Sequence, residues 1–179
     1  MYIGNDPEST TDGANYNLGI GVTTLDAITT GDGNIAVGHD ALTANTTGAK
    51  NLAIGKGALD AADTESNNIA IGYDALGGAV AGGEFNVAIG NNALDALTSG
   101  DSNIAVGHDA LTAHTTGHRN LAIGIGALDA ADTENDNIAI GYDALGGAVA
   151  EGEFNVAIGN YSLDALTAGD YNVAVGDNT

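Results

Sequence analysis

Cysteine and tryptophan are absent from this 179-residue chain, proline occurs once, and aromatic residues make up only 4%. The absence of cysteine gives no indication of the redox compartment. An ordinary globular core of this size uses more large rings. The apolar residues here are alanine, isoleucine, valine and leucine, which suit thin, regular layers. The length is sufficient for one domain with a sizeable core.

Basic residues are also scarce. Lys50, Lys56 and Arg119 stand against 24 acidic residues, and the formal net charge is −21. Phosphate binding needs a basic face, so we expect no nucleic-acid partner, and an anionic membrane would repel this surface. Eighteen of the acids are aspartate. This bias resembles proteins of very high salt, where charge is screened within about 3 Å at 1 M; an acidic extracellular surface is the alternative.

Long hydrophobic runs are missing as well. No stretch approaches the roughly 18 apolar residues of a membrane span. The first eight residues, Met1 to Glu8, have neither the basic nor the apolar region of a signal peptide. We therefore expect neither membrane insertion nor a secretory leader in this sequence.

An internal repeat dominates what is present. The motif Asn-(Ile/Val/Leu)-Ala-(Ile/Val)-Gly recurs at intervals of 17 or 18 residues, and residues 34–102 match residues 103–171 with eleven differences. A block of four turns was evidently duplicated. The extra residue of each 18-residue interval lies in Gly77–Phe85 or Gly146–Phe154, so we expect a bulge on the same side four turns apart. The asparagines of the motif are Asn17, Asn34, Asn51, Asn68, Asn86, Asn103, Asn120, Asn137, Asn155 and Asn172.

The repeat length suits one turn of a β-helix, with short strands joined by tight corners. In the copy that begins at Asn68, the alternation of Ile69, Ala70 and Ile71 is typical of a strand. We expect the two isoleucines to face the narrow interior and the alanine to face out.

The residues after this strand complete the turn. Gly72 is expected at a corner, and residues 73–76 predict a second short strand with Leu76 inward. The fold class is therefore all-β, a parallel β-solenoid of ten 17–18-residue turns over residues 17–179. Residues 1–16 break the repeat and are expected to cap the solenoid or attach it to a larger particle.

Stacking places like residues on like residues. The asparagines are expected to form a hydrogen-bonded ladder, as stacked asparagine does in cross-β structures. Ten turns about 4.8 Å apart make a rod of roughly 45 Å. Because such a rod has a small core and a flat outer alanine face, we expect several chains to pack together.

The phrase Asn-Ile-Ala-Ile-Gly, followed by x-x-Ala-Leu and Thr-Thr-Gly, resembles the head repeats of trimeric autotransporter adhesins of the YadA type. It is similar also to repeats in tail-fibre and related surface proteins of tailed viruses. The resemblance covers about Asn17 to Gly176 and implies a left-handed parallel β-roll that assembles as a homotrimer. The repeat is longer than the usual adhesin head repeat. No heptad stalk, anchor barrel or signal peptide occurs, although an autotransporter needs the last two.

A virion protein needs neither an anchor nor a leader. The sequence therefore favours a virion surface structural protein, not an enzyme, that acts as a tail fibre or spike in host recognition. Expected partners are other virion proteins and a host cell-surface glycan or glycoprotein. A passive capsid turret or decoration protein remains an alternative, as does a bacterial adhesin head on the cell surface. An ice-binding solenoid is a further alternative, although no continuous threonine rank is present.

Two tyrosines interrupt the repeat near its end. Tyr161 and Tyr171 replace Asn92 and Ser102 of the first block. Exposed rings offer a stacking face for sugars, which makes them candidate receptor-binding residues. The alternative is a cap over the end of the stack.

A second candidate site lies in the loop 112–119, where His114 and His118 stand beside Arg119. These side chains are candidates for receptor contact or for a metal or anion, or they are surface histidines without a role.

The corner acids are a third candidate. Examples are Asp101 before Asn103 and Asp32 before Asn34. Ca²⁺ takes 6–8 oxygen ligands, so these acids are candidates for Ca²⁺ or other structural ions, although solvated turn acids are the more common explanation. No cofactor is expected. Asp60 and Asp63 recur as Asp129 and Asp132, which argues for a structural element and against a single catalytic centre.

Overall fold

A computed structural model describes residues 2–3, 13–78, 83–147 and 152–179 of the chain. Within them, eleven short strands follow one another in a single sheet, without any helix. The fold is thus all-β, and no described segment is a helix that is long and apolar enough to cross a membrane. The strands are β1 (Tyr2–Ile3), β2 (Leu18–Ile20), β3 (Ile35–Val37), β4 (Leu52–Ile54), β5 (Ile69–Ile71), β6 (Val87–Ile89), β7 (Ile104–Val106), β8 (Leu121–Ile123), β9 (Ile138–Ile140), β10 (Val156–Ile158) and β11 (Val173–Val175).

The strands β2 to β11 pair in parallel and in register, so that each motif copy lies on the next. Ala53, for example, pairs with Ala36 on one side and with Ala70 on the other. The predicted parallel β-solenoid is therefore confirmed. It has about nine turns and not ten, because ten strands enclose nine connections.

The strands face the opposite way from the sequence prediction. The central alanine of β3 to β10 has no exposed surface, whereas the residues on either side of it are half-buried or exposed. The prediction that Ile69 and Ile71 point inward and Ala70 outward is wrong. The reason lies across the narrow interior, where Leu76 and its equivalents fill the space. At the packing density of protein interiors, only a methyl group then fits on the strand side.

The predicted second strand at residues 73–76 is also wrong, because this segment forms a turn. Asp74 has φ 47° and Leu76 has φ 52°, both in the left-handed region and incompatible with a strand. Leu76 does point inward, with no exposed surface. Left-handed backbone costs about 1–2 kcal/mol per residue, and burial of a leucine side chain, at about 1.5–3 kcal/mol, offsets that cost.

Two expectations fall partly outside the described residues. The predicted bulges concern residues 79–82 and 148–151, which are not described. At the N-terminus, β1 pairs antiparallel with β2, through Tyr2 with Gly19 and Ile3 with Leu18. Residue 1 and residues 4–12 are not described, so the role of residues 1–16 as a cap or attachment segment stays a prediction.

Candidate interaction face

The asparagine column anchors the start of every strand. The backbone N–H of Asn103 donates to Oδ1 of Asn86 at 2.9 Å, and Nδ2 of Asn86 donates to the carbonyl oxygen of Gly100 at 2.8 Å. The same pair of bonds recurs along the column, whose side chains are almost fully buried up to Asn155. Because each amide joins consecutive turns, the ladder holds the strands parallel and the sheet straight. Its members are Asn17, Asn34, Asn51, Asn68, Asn86, Asn103, Asn120, Asn137, Asn155 and Asn172.

The outer side of the sheet is a continuous aliphatic surface. We call the first and third residues of β2 to β11 the aliphatic face; all are isoleucine, leucine or valine. Ile35 and Ile104 are 40% exposed, and Ile54 and Ile89 are 38% exposed. The face measures about 43 Å by 10 Å, on the order of 400 Å². That is comparable with the largest apolar patches on monomeric proteins, which are often functional.

Acidic residues avoid this face. On either side of it run two margins, formed by the residue before each ladder asparagine and the residue after each corner glycine. Of the 24 acids, none lies on the face and two, Asp136 and Asp177, lie on the margins. All three basic residues are on the margins: Lys50, Lys56 and Arg119. The aliphatic face and its two margins are therefore close to neutral, although the whole chain has a charge of −21.

Two of the three basic residues on the margins, Arg119 and Lys56, have close partners. Arg119 Nε lies 2.6 Å from Asp136 Oδ1, and a second guanidinium nitrogen donates to Asp136 Oδ2 at 2.7 Å. The hydrogen bond and charge of Arg119 hold the pKa of Asp136 below its usual value. Lys56 lies with its ammonium nitrogen 5.3 Å from the ring centroid of Tyr73.

The predicted tyrosines lie beside the face. Tyr161 is 38% exposed and meets Tyr142 edge to face, with ring centroids 5.2 Å apart. Tyr171 is 73% exposed and stacks on Phe154, with centroids 5.0 Å apart and planes at 4°. Both rings are accessible in the single chain: Tyr171 lies on one margin, and Tyr161 lies one residue beyond the other margin.

The predicted site in the loop 112–119 does not come together. His114 is fully buried, so the expectation of a surface histidine is wrong for this residue. His118 is partly exposed, and its Nδ1 accepts a hydrogen bond from the backbone N–H of Asp101 at 3.0 Å. Arg119 points to Asp136. His114 is thus separate from the other two, whereas the charge of His118, like that of Arg119, acts on Asp136.

Other aspartates, in the turns that follow the strands, form a recess. Asp129, Asp143 and Asp164 line it together with Tyr161. Burial, followed by the charge of Asp143, raises the pKa of Asp129. Within the described residues, no group of three or more histidine or carboxylate side chains is arranged to hold a metal ion. The recess is therefore a place of mutual carboxylate repulsion.

Comparisons with family models, curated proteins and solved structures find no match for the chain.

Alternation alone did not locate this face, because a period of two distinguishes two sides of a strand without telling which side is inside. A further signal was present in the repeat. The central position is always alanine or glycine, whereas the two flanking positions vary among isoleucine, leucine and valine. A tight interior admits little variation in size, and an outer surface admits more.

Proposed function

We propose that the chain is a structural subunit of a virion surface fibre or spike, which assembles as a homotrimer through the aliphatic face and takes part in host recognition. The observation that carries the proposal is the uninterrupted aliphatic surface along the whole rod. Water-exposed rows of isoleucine and valine on a regular sheet are costly. A partner with the same flat surface removes them from water.

The size of the surface supports assembly. The face with its two margins spans seven residues per turn, on the order of 900 Å². A standard interface buries about 800 Å² per partner. The margins contribute aromatic residues such as Tyr73, Phe85 and Phe154, which are enriched at interfaces.

The charge distribution supports a second copy of this chain as the partner. Chains of charge −21 repel one another through most of their surfaces. The nearly neutral aliphatic face is where like chains can approach. The number three and the left-handed twist come from the resemblance to adhesin heads and viral fibres.

Molar mass in solution tests the assembly. Light scattering of the purified chain is expected to give about three times 17.6 kDa. Ile104→Lys places an ammonium group in the centre of the face and is expected to give monomers. Lysine makes the chain less acidic, so greater overall repulsion does not explain that loss.

The matched control is Ala130→Lys, at an exposed position away from the face. It is expected to leave the trimer intact. A wild-type monomer at micromolar concentration would overturn the trimer. A trimer that survives Ile104→Lys would overturn the aliphatic face as its interface. A wild-type dimer that Ile104→Lys dissociates would support the aliphatic face as the interface but contradict an assembly of three chains.

Location tests the rest of the proposal. A particle surface is supported by the resemblance and by an acidic exterior suited to salt. Antibodies to the chain are expected to label intact virus particles, and particles without the chain are expected to lose host attachment. Particles that keep attachment would indicate a passive turret instead. Label confined to uninfected cells would contradict both roles.

Receptor contact is proposed for the ring of Tyr161, which lies outside the two margins, with a cell-surface glycan as the ligand class; Tyr171, a margin residue, is assigned to the interface between chains. Aromatic faces stack on the apolar faces of sugars. Arg119 and His118 both lie about three turns from Tyr171 on the same rod. His118 would act as a separate polar contact, whereas Arg119 belongs to a margin.

A further inference from the structure

His114 lies inside the solenoid, in the connection between β7 and β8. Its side chain has no exposed surface, and Leu97 and Ala131 occupy the equivalent interior positions of the neighbouring turns. The first half of the duplicated block has Asn45 at this position, and that side chain is equally buried. His114, whose ring gains a positive charge near neutral pH, therefore occupies the interior position that the neutral side chain of Asn45 has in the first block.

The asparagine ladder places the NH₂ group of Asn120 opposite Nε2 of His114. Oδ1 of Asn120 accepts the backbone N–H of Asn137 at 3.0 Å, so Nδ2 is the donor end of that amide. Nδ2 lies 3.2 Å from Nε2 of His114 and donates to the carbonyl of Glu134 at 2.7 Å. Nδ2 also lies 3.2 Å from Oδ1 of Asn103 and 3.3 Å from the carbonyl of His118. When Nε2 accepts from this amide, the neutral ring carries its proton on Nδ1. Nδ1 is buried and has no hydrogen-bond partner.

A second proton would disturb this arrangement. With Nε2 protonated, an N–H group would face the NH₂ group of Asn120, so a donor would meet a donor. The amide of Asn120 cannot turn round without losing its bond to Asn137. The charged ring would also have lost its hydration.

The groups around His114 include some that raise its pKa, and burial lowers it. Glu134 and Asp132, from the next turn, favour the charged ring, as do the backbone carbonyls of Gly117 and Ala131. Burial opposes them and is the larger effect, so the pKa of His114 is lowered from 6.5.

Two further titratable groups belong to the neighbourhood. His118, in the same connection, is directed outward to Asp101 of the preceding turn. This exposed pair is absent from the first block, where Ala49 stands in place of His118.

We propose that His114 makes the connection between β7 and β8 an acid-sensitive joint of the rod, which opens below neutral pH while the equivalent connection with Asn45 stays closed. The neutral ring is preferred in the folded turn. Its contribution to stability is therefore complete above pH 6.5, the usual value for histidine, and is lost as the pH falls below it. The equilibrium constant for opening rises by up to about tenfold per pH unit.

Amide hydrogen exchange of the full chain tests the joint, with rates corrected for the intrinsic effect of pH. Peptides covering 111–120 are expected to lose up to about tenfold in protection between about pH 7.5 and about pH 5.5. Peptides covering 42–51, in the same molecule, serve as the internal reference. Equal changes in both segments would overturn the proposal.

Variants taken from the repeat itself separate the causes. His114→Asn copies the first block and is expected to abolish the difference, whereas Asn45→His is expected to transfer it to residues 42–51. His118→Ala, which copies Ala49, is expected to leave it unchanged. If His114→Asn fails to fold, the reciprocal variant and an NMR titration of His114 still decide. A ring that titrates at or above the usual histidine value would contradict the proposal.

Discussion

The carbonyl oxygen of Gly124 occupies the space that a Cβ atom of Gly107 would need. A Cβ built on Gly107 comes closer than 3.0 Å to that oxygen, a distance that real Cβ atoms essentially never reach. Gly107 also has φ 148°, in the range that favours glycine. The corner after each strand is thus closed to side chains both by its conformation and by the turn above it.

Replacing Gly107 by alanine is expected to destabilise the rod by about 3 kcal/mol or more, since the clash is with backbone and cannot be relieved by a rotamer change. Thermal and urea unfolding followed by circular dichroism measure the effect. Gly33→Ala is the control, because Gly33 has φ 68° but its Cβ would meet only Lys50 Cγ, at 3.9 Å. That variant is expected to cost about 1 kcal/mol; equal costs would contradict the steric explanation.

The inward orientation of the central alanine predicts an unusual response to size. Ala105→Val adds two methyl groups to a filled interior and is expected to cost about 1–3 kcal/mol. Ile104→Val, one residue earlier on the aliphatic face, is expected to change the stability of the isolated chain by less than about 0.5 kcal/mol. Valine already occupies this column at Val87 and Val156. The reverse order of the two costs would show that the strand faces the other way.

Much of the fold was predictable from the repeat, and the limit is physical. The spacing of the asparagines gives the period, the strands and their parallel register. It does not give the depth of the interior. The spacing alone therefore predicts that the larger side chains, Ile69 and Ile71, face inward, which is wrong. That depth depends on Leu76 entering from a left-handed turn, a conformation that propensity patterns do not anticipate for leucine.

The sites were less predictable than the fold. Tyr161 and Tyr171 were identified as breaks in the repeat, and both are exposed. For His114 the sequence offers a ligand role or a surface histidine without a role, and neither reflects its burial. Its equivalence to Ile28 and Leu97, which are interior positions of other turns, was the signal that it is buried.

Removal of one ladder amide is expected to be costly. Asn86→Ala leaves the N–H of Asn103 and the carbonyl of Gly100 without their partner in a buried environment. Each unsatisfied group costs about 1–3 kcal/mol. Hydrogen exchange of the adjoining turns measures the local loss. Asn91→Ala is the control expected to cost less, because it removes a single hydrogen bond, from the backbone N–H of Tyr73, at an exposed corner. Similar protection in the two variants would show that the ladder does not stabilise the stack.

The carboxylate recess predicts that its contribution to folding stability falls as the pH rises, whereas the contribution of a carboxylate in an ion pair falls as the pH drops. The pKa of Asp129 is raised in the fold, so the stability linked to its protonated form is complete below about 3.8, its unfolded value, and is lost as the pH rises through the folded pKa. Asp129→Asn is therefore expected to raise the unfolding temperature at neutral pH, and the gain should shrink as the pH approaches 4.

Asp136 is the matched comparison, since Arg119 lowers its pKa. Its contribution is present above the unfolded value and is lost as the pH falls. Asp136→Asn is expected to lower the unfolding temperature at neutral pH. A loss of stability in both variants would indicate that the Asp129 carboxylate is held by a favourable contact.

The hydrogen bonds between turns run along the rod, whereas the chain winds around it. Tension applied to the two ends therefore loads the bonds of one turn at a time, as in the peeling of a zipper. Each released turn of 17 residues adds roughly 55 Å of extended chain. The rod should thus yield in a series of small, equal steps at nearly constant force, so that a tether built from it lengthens under load before it breaks.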